Sequence, residues 1–120
     1  MSRDDLIHYT IQMDVADGKM SEFEALADEA ISLVQETEPE CVAYRWDMNG
    51  QSVRLHERFA NEAAMMVHAT GPAATEIFPK LLEISNVSSF AVHGDLSEEA
   101  QAQLAAFGAE VFPSWKGFDR

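Results

Sequence analysis

The sequence predicts an α+β domain of the split βαβ, ferredoxin-like kind: a four-stranded antiparallel sheet with helices on one face, then an extra C-terminal helix. Three observations carry this. Apolar residues alternate along 6–15, 42–48 and 53–59, the period of half-buried strands. They recur at spacings of three and four along 19–37, the period of a helix with one apolar stripe. The order of the segments is β-α-β-β-α-β. Because helices cover one side only, the other sheet face must meet water or a second copy of the chain.

Residues 1–5 form a polar leader. From Leu6 to Val15 one face carries Ile7, Tyr9, Ile11, Met13 and Val15, and the other His8, Thr10, Gln12 and Asp14. Asp17-Gly18 ends that strand. Phe23, Leu26, Ala27, Ala30, Ile31 and Val34 form the stripe of a helix over 19–37. Ser21 and Glu24 have capping-box spacing near its start, and Pro39 disfavours helical geometry at Glu38 and stops it. A hairpin follows, organised on Asn49-Gly50, the pair that best accepts a type I′ turn. That turn sets Met48 opposite Gln51, Trp46 opposite Val53, Tyr44 opposite Leu55 and Val42 opposite Glu57. Asn61 is a good N-cap for a helix from Glu62 to about Ala69, broken by Thr70-Gly71-Pro72. Pro72 suits the first turn of the next helix, with Ile77, Phe78, Leu81 and Leu82, and Pro79 kinks or restarts it. Val87–His93 is the fourth strand, closed by Gly94-Asp95. Ser97 caps a last helix to about Phe107, with Gly108 as its C-cap. The tail holds Phe112, Trp115 and Phe118.

The 120 residues make one domain, with its core over 6–94 and a C-terminal helix and aromatic tail over 95–120. The hydrophobic fraction, 47%, is that of a folded chain. Eight basic residues against 21 acidic ones give a net charge of −13, a field that repels nucleic acid and anionic lipid. The apolar runs fall far short of the ~18 residues that span a bilayer. No basic n-region precedes an apolar stretch, so a secretory leader is not expected, and a single cysteine, Cys41, fits a reducing cytoplasm. His8 and His93 are isolated on strands. The sequence has no H-x-H, H-x-x-x-H or cysteine pair, so no metal site is expected, and no glycine-rich phosphate loop points to a nucleotide or flavin.

Glu38-Pro39-Glu40-Cys41, Tyr44, Leu55-His56-Glu57-Arg58-Phe59, Asn61, Ala64-Met65, His68 and Pro72 resemble the antibiotic biosynthesis monooxygenase family. That family's pattern runs E-P-G-C, a tyrosine on the next strand, L-x-E-x-W, a helix start and H-x-x-x-P-H. The resemblance covers Leu6 to Val92. It implies the ferredoxin-like fold, a homodimer whose sheets pack together as an α/β barrel, and cofactor-free oxygenation of quinols or polyketide phenols. Haem degradation belongs to a distinct branch. Phe59 stands where the family often has tryptophan, Ala73 where its second histidine stands, and the first strand lacks the asparagine used in haem degradation. The haem reading is accordingly the weaker one. A non-catalytic dimeric module that binds a small ligand is the alternative to an oxygenase.

On that footing His68 is the candidate base or proton relay, having an ordinary pKa near neutrality, and Glu57 its electrostatic partner. By parity Glu57 shares a strand face with Val53, Leu55 and Phe59, so its carboxylate must find donors indoors. Tyr9, Tyr44, Trp46, Phe59 and Phe78 are candidate walls of an aromatic pocket between sheet and helices, although their spacing is equally that of core packing. The opposite hairpin face carries Arg45, Arg54, His56 and Arg58. In the turn register Arg45 stands opposite Arg54, a repulsive pairing that carboxylates at a dimer interface would relieve.

Overall fold

The computed structural model describes residues 6–118. Its elements are β1 (Ile7–Val15), α1 (Met20–Thr37), β2 (Cys41–Asn49), β3 (Ser52–Phe59), α2 (Glu62–Thr70), α3 (Phe78–Glu83), β4 (Ser85–His93), α4 (Glu98–Ala106) and β5 (Glu110–Phe112). A π-helical turn over Ala73–Ile77 joins α2 to α3 where Pro79 prevents a continuous helix. The sheet runs β2-β3-β1-β4-β5. Its first four strands are antiparallel neighbours in the ferredoxin-like order, so the predicted class stands. The fifth strand, parallel to β4, was not expected from the sequence.

Alternation along β1 becomes a buried face of Ile7, Tyr9, Ile11, Met13 and Val15, each at most 6% exposed. This face meets Phe23, Ala30 and Val34 of α1, Met65 of α2 and Leu81 of α3 in one core. Asn61 caps α2 as expected, its Oδ1 accepting from the Ala64 N–H at 2.9 Å. Ser97 does the same for α4 through Ala100. Helix α1 differs: its N-cap is Lys19, without a side-chain bond, and Ser21 already lies inside the helix, so no capping box forms.

The hairpin exists, but its register differs by two residues from the one read off Asn49-Gly50. Asn49 pairs with Ser52, Met48 with Val53, Trp46 with Leu55 and Tyr44 with Glu57. The two-residue loop is Gly50-Gln51, with positive φ (63°) at Gly50 alone. Glycine at the first central position is the pattern of a II′ turn. Contacts from another strand hold Gln51 there: its carbonyl accepts from the Val15 N–H at 2.8 Å, and its side-chain amide donates to Val15 O and Asp17 Oδ1. A shift of two preserves which face each residue occupies. It does change who meets whom. Arg45 faces His56, and Arg54 faces Asp47, so the expected Arg45–Arg54 repulsion does not arise. A bulge between Cys41 and Ala43 turns Val42 outward, 52% exposed, instead of towards Glu57.

Candidate functional site

Three distant segments converge beneath α2. Glu38 follows the last turn of α1, where its backbone N–H closes the helix on Val34 O and Pro39 forbids another turn. Glu57 projects from the buried face of β3. His68 lies in the last turn of α2, one helical turn before the break at Gly71-Pro72. The imidazole sits between the two carboxylates. Nδ1 is 2.8 and 3.0 Å from the two Glu38 oxygens, and Nε2 is 2.8 Å from Glu57 Oε1. The Glu57 approach is out of line with the ring N–H, so Oε1 has an ion-pair contact but no well-directed hydrogen bond. Glu38, Glu57 and His68 are 4%, 1% and 8% exposed, the three polar or charged residues buried in the described chain. Gly71 makes room for this packing: a Cβ there would lie 3.1 Å from Val67 O and 3.5 Å from Glu38 Oε2.

Aromatic rings enclose the triad. Tyr44 and Tyr9 are the cross-strand partners of Glu57 on either side, so β2, β3 and β1 present a row Tyr44–Glu57–Tyr9. The Phe59, Tyr44 and Tyr9 rings lie 5.2, 6.1 and 6.4 Å from His68. Burial on its own would lower the His68 pKa; the Glu38 hydrogen bond and the close contact and charge of the Glu57 carboxylate outweigh it and raise it to about 10. His68 is therefore a cation at neutral pH, and the triad carries one surplus negative charge. Burial first, and then the Glu57 charge, push the Tyr9 and Tyr44 hydroxyls well above the usual phenol range, so both stay protonated. The Cys41 thiol is pushed up to about 12 by burial and by Glu57 and Glu38, and it donates to Ala43 O. Its thiolate form is thereby disfavoured at neutral pH.

His68 and Glu57, picked from the sequence, thus meet, with Tyr9, Tyr44 and Phe59 around them. Trp46 stands one ring further out, against Tyr44 at 5.7 Å and Phe23 at 5.9 Å. Phe78 packs against the core and makes no ring contact with His68. In the sequence Glu38 marks a helix terminus and opens the Glu38-Pro39-Glu40-Cys41 motif of the resemblance, without being a candidate site residue; its place in the site appears when the fold brings residue 38 to residue 68. On the open sheet face Arg45, Arg54 and Arg58 are exposed and His56 is half-buried. Arg54 donates to Gln12 Oε1 and Arg58 to His8 Nδ1, both at 3.1 Å, while His56 Nε2 lies 3.5 Å from Asp47 Oδ2. A cavity of about 680 Å³ on this side is lined by Leu6, His8, His93, Phe112, Trp115 and Lys116 among others; none of the predicted pocket residues borders it.

The sequence profile of the antibiotic biosynthesis monooxygenase family matches residues 6–80. Among solved structures, MupZ from Pseudomonas fluorescens is similar with a TM-score of 0.85 at 18% identity, over 96% of this chain and 94% of that one. A candidate antibiotic biosynthesis monooxygenase from Caulobacter crescentus CB15 gives 0.67 at 15% identity, over 78% and 92%. Another from Bacteroides thetaiotaomicron VPI-5482 gives 0.66 at 16%, over 81% and 93%. At these identities the likeness is one of fold. No curated protein sequence matches.

Proposed function

Because the chain belongs to the antibiotic biosynthesis monooxygenase family, we propose that it oxygenates a phenolic, quinol or polyketide-like aromatic substrate without a cofactor. The observation that carries this is the buried imidazolium held by a carboxylate on each ring nitrogen, inside a shell of aromatic rings. The protein's task is proton transfer. A substrate hydroxyl gives its proton to Glu57, taking the triad from one surplus negative charge to neutrality, while Glu38 holds the imidazolium in place. His68 then relays protons between the two carboxylates. This refines the role expected for His68, since a ring with both nitrogens engaged acts as a relay rather than as the first base. The phenolate, in surroundings of low polarity, passes an electron to dioxygen and the two radicals combine. For a ring methylene the balance is CH₂ + O₂ → C=O + H₂O, with the substrate supplying every electron. Tyr9 and Tyr44 remain protonated and serve as donors to the developing oxyanion.

Oxygen uptake tests this directly, with a panel of quinols and polycyclic phenols against the wild type, His68→Ala and Glu57→Gln. Uptake by the wild type that falls at least about 100-fold in both variants is expected. Uptake that is absent, or indifferent to the substitutions, supports a second reading favoured by the 2.8 Å meeting of imidazolium and carboxylate. In that reading the same acid and base move protons on a ligand with no oxygen consumed, or the ligand is bound without turnover. We also propose a homodimer through the open sheet face, with Arg45, Arg54, His56 and Arg58 in the interface. Sedimentation at the monomer mass at micromolar concentration would remove that assignment.

A further inference from the structure

The cavity on the open sheet face takes no part in the triad. It is built on one cross-strand row. His8 on β1 stands opposite Arg58 on β3 and His93 on β4, and His93 stands beside Phe112 on β5. Arg58 Nε donates to His8 Nδ1 at 3.1 Å, which places the imidazole's own proton on Nε2. Phe112 stacks on the His93 ring at 5.5 Å and 17°. The chain's own tail completes the enclosure. It is held there by Gly94 N–H on Phe112 O (3.0 Å) and by Ser114 N–H on Asp95 Oδ1 (3.1 Å). The cavity measures about 680 Å³, and Trp115 and Lys116 line it with His8 and His93. Arg58 marks where the row meets the face proposed for the dimer; the cavity lies towards the other end, at β4 and β5.

Two features set this cavity apart from ordinary surface. The first is charge. The chain has 21 acidic residues against 8 lysines and arginines, yet among the described lining residues none is acidic. Glu110, two residues before Phe112 on β5, does not border it either. Lys116, two imidazoles and the Arg58 guanidinium behind one of them thus gather N–H donors where the protein supplies no carboxylate, and an anion complements them. The second is the rings. Trp115 is 86% exposed and Phe112 44%, so neither serves the core, and Lys116 Nζ lies 4.6 Å from the Trp115 ring centroid. Exposed rings beside a cation receive a flat apolar body bearing a negative group. The volume is that of a small-molecule site, about 300–1,000 Å³, and a macromolecular partner has no need of such an enclosure.

We propose that this cavity is a second binding site, for a small aromatic carboxylate. The anion lies against Lys116 and the His93 imidazole, and its ring against Trp115 and Phe112. The site is separate from the Glu38–His68–Glu57 triad and does not rest on the oxygenase reading.

Calorimetric titration of the full chain with 2-naphthoate and with its neutral isostere 2-naphthamide tests this. The acid is expected to bind about tenfold or more tighter than the amide. Lys116→Gln should weaken the acid about fivefold or more and leave the amide within about twofold, whereas Trp115→Ala should weaken both. Glu57→Gln should leave the acid within about twofold, because the triad lies on the other face of the sheet. Thermal midpoints establish that each variant is folded. Equal affinity for acid and amide, no binding of either at about 1 mM, a preference that survives Lys116→Gln, or one abolished by Glu57→Gln would each overturn the proposal. Carboxylates of a second copy are the rival anion. Self-association of the ligand-free wild type that is lost in Lys116→Gln, with naphthoate excluded from the associated form, would give the cavity to the second copy and overturn the small-molecule site. Oxygen uptake bears on the oxygenase reading alone, so the two can fail separately.

Discussion

If His68 is a clamped cation, the protein loses stability in mild alkali. The folded ring keeps its proton to about pH 10, whereas the unfolded chain releases it near 6.5. Because the folded pKa is the higher, the contribution is complete below pH 6.5 and drains away as pH rises towards 10. At full strength the difference is roughly 5 kcal/mol, and between pH 7 and pH 9 the loss is roughly 2–3 kcal/mol. Against a total stability of about 5–15 kcal/mol, and a urea slope of about 1–3 kcal/mol per molar, that moves the midpoint by about 1–2 M. Cys41, Tyr9 and Tyr44 also hold their protons more tightly in the fold, so they add losses of the same sign, but only from about pH 9 upward. Urea unfolding at pH 7, 8 and 9 therefore isolates His68, and His68→Gln should flatten the profile. A wild-type midpoint that stays put over this range, or an equal slope in His68→Gln, would refute the clamped cation.

Glu57→Gln leaves His68 its Glu38 partner and cancels the surplus charge, so the fold should lose no more than about 1–2 kcal/mol, while turnover falls by about 10²–10⁴. Parallel urea curves and initial rates show whether the two effects separate. Gly71→Ala places a methyl 3.1 Å from Val67 O, beside Glu38 Oε2. A cost of about 1–2 kcal/mol is expected, with a downward shift of the His68 titration seen by NMR. Asn61→Ala removes the α2 cap and should cost about 1 kcal/mol in thermal unfolding without altering that titration, because the cap lies at the opposite end of the helix from His68.

What could be read from the chain depended on how local its cause was. Alternation in β1 and β3, the stripe of α1, and the Asn61 and Ser97 caps are set by neighbours a few residues away, and they appear where expected. Parity placed Glu57 indoors and the arginines outdoors, a conclusion immune to the two-residue register difference. The register itself depended on Val15 and Asp17 holding Gln51, contacts that span more than thirty residues and leave no local trace. Glu38 shows the same limit. A glutamate before proline reads as a helix stop, and only the approach of α2 makes it half of a clamp. Strand β5 is three residues long, too short for a period to show, and takes its identity from pairing with β4.

His68 rests as an imidazolium between Glu38 and Glu57. Nitrogen-15 spectra of the His68 ring at pH 7.5 test it most directly. Nδ1 and Nε2 are both expected to be protonated, in a ring that keeps both protons well past pH 8. A ring with one bare nitrogen at pH 7.5, titrating near 6.5, would contradict it.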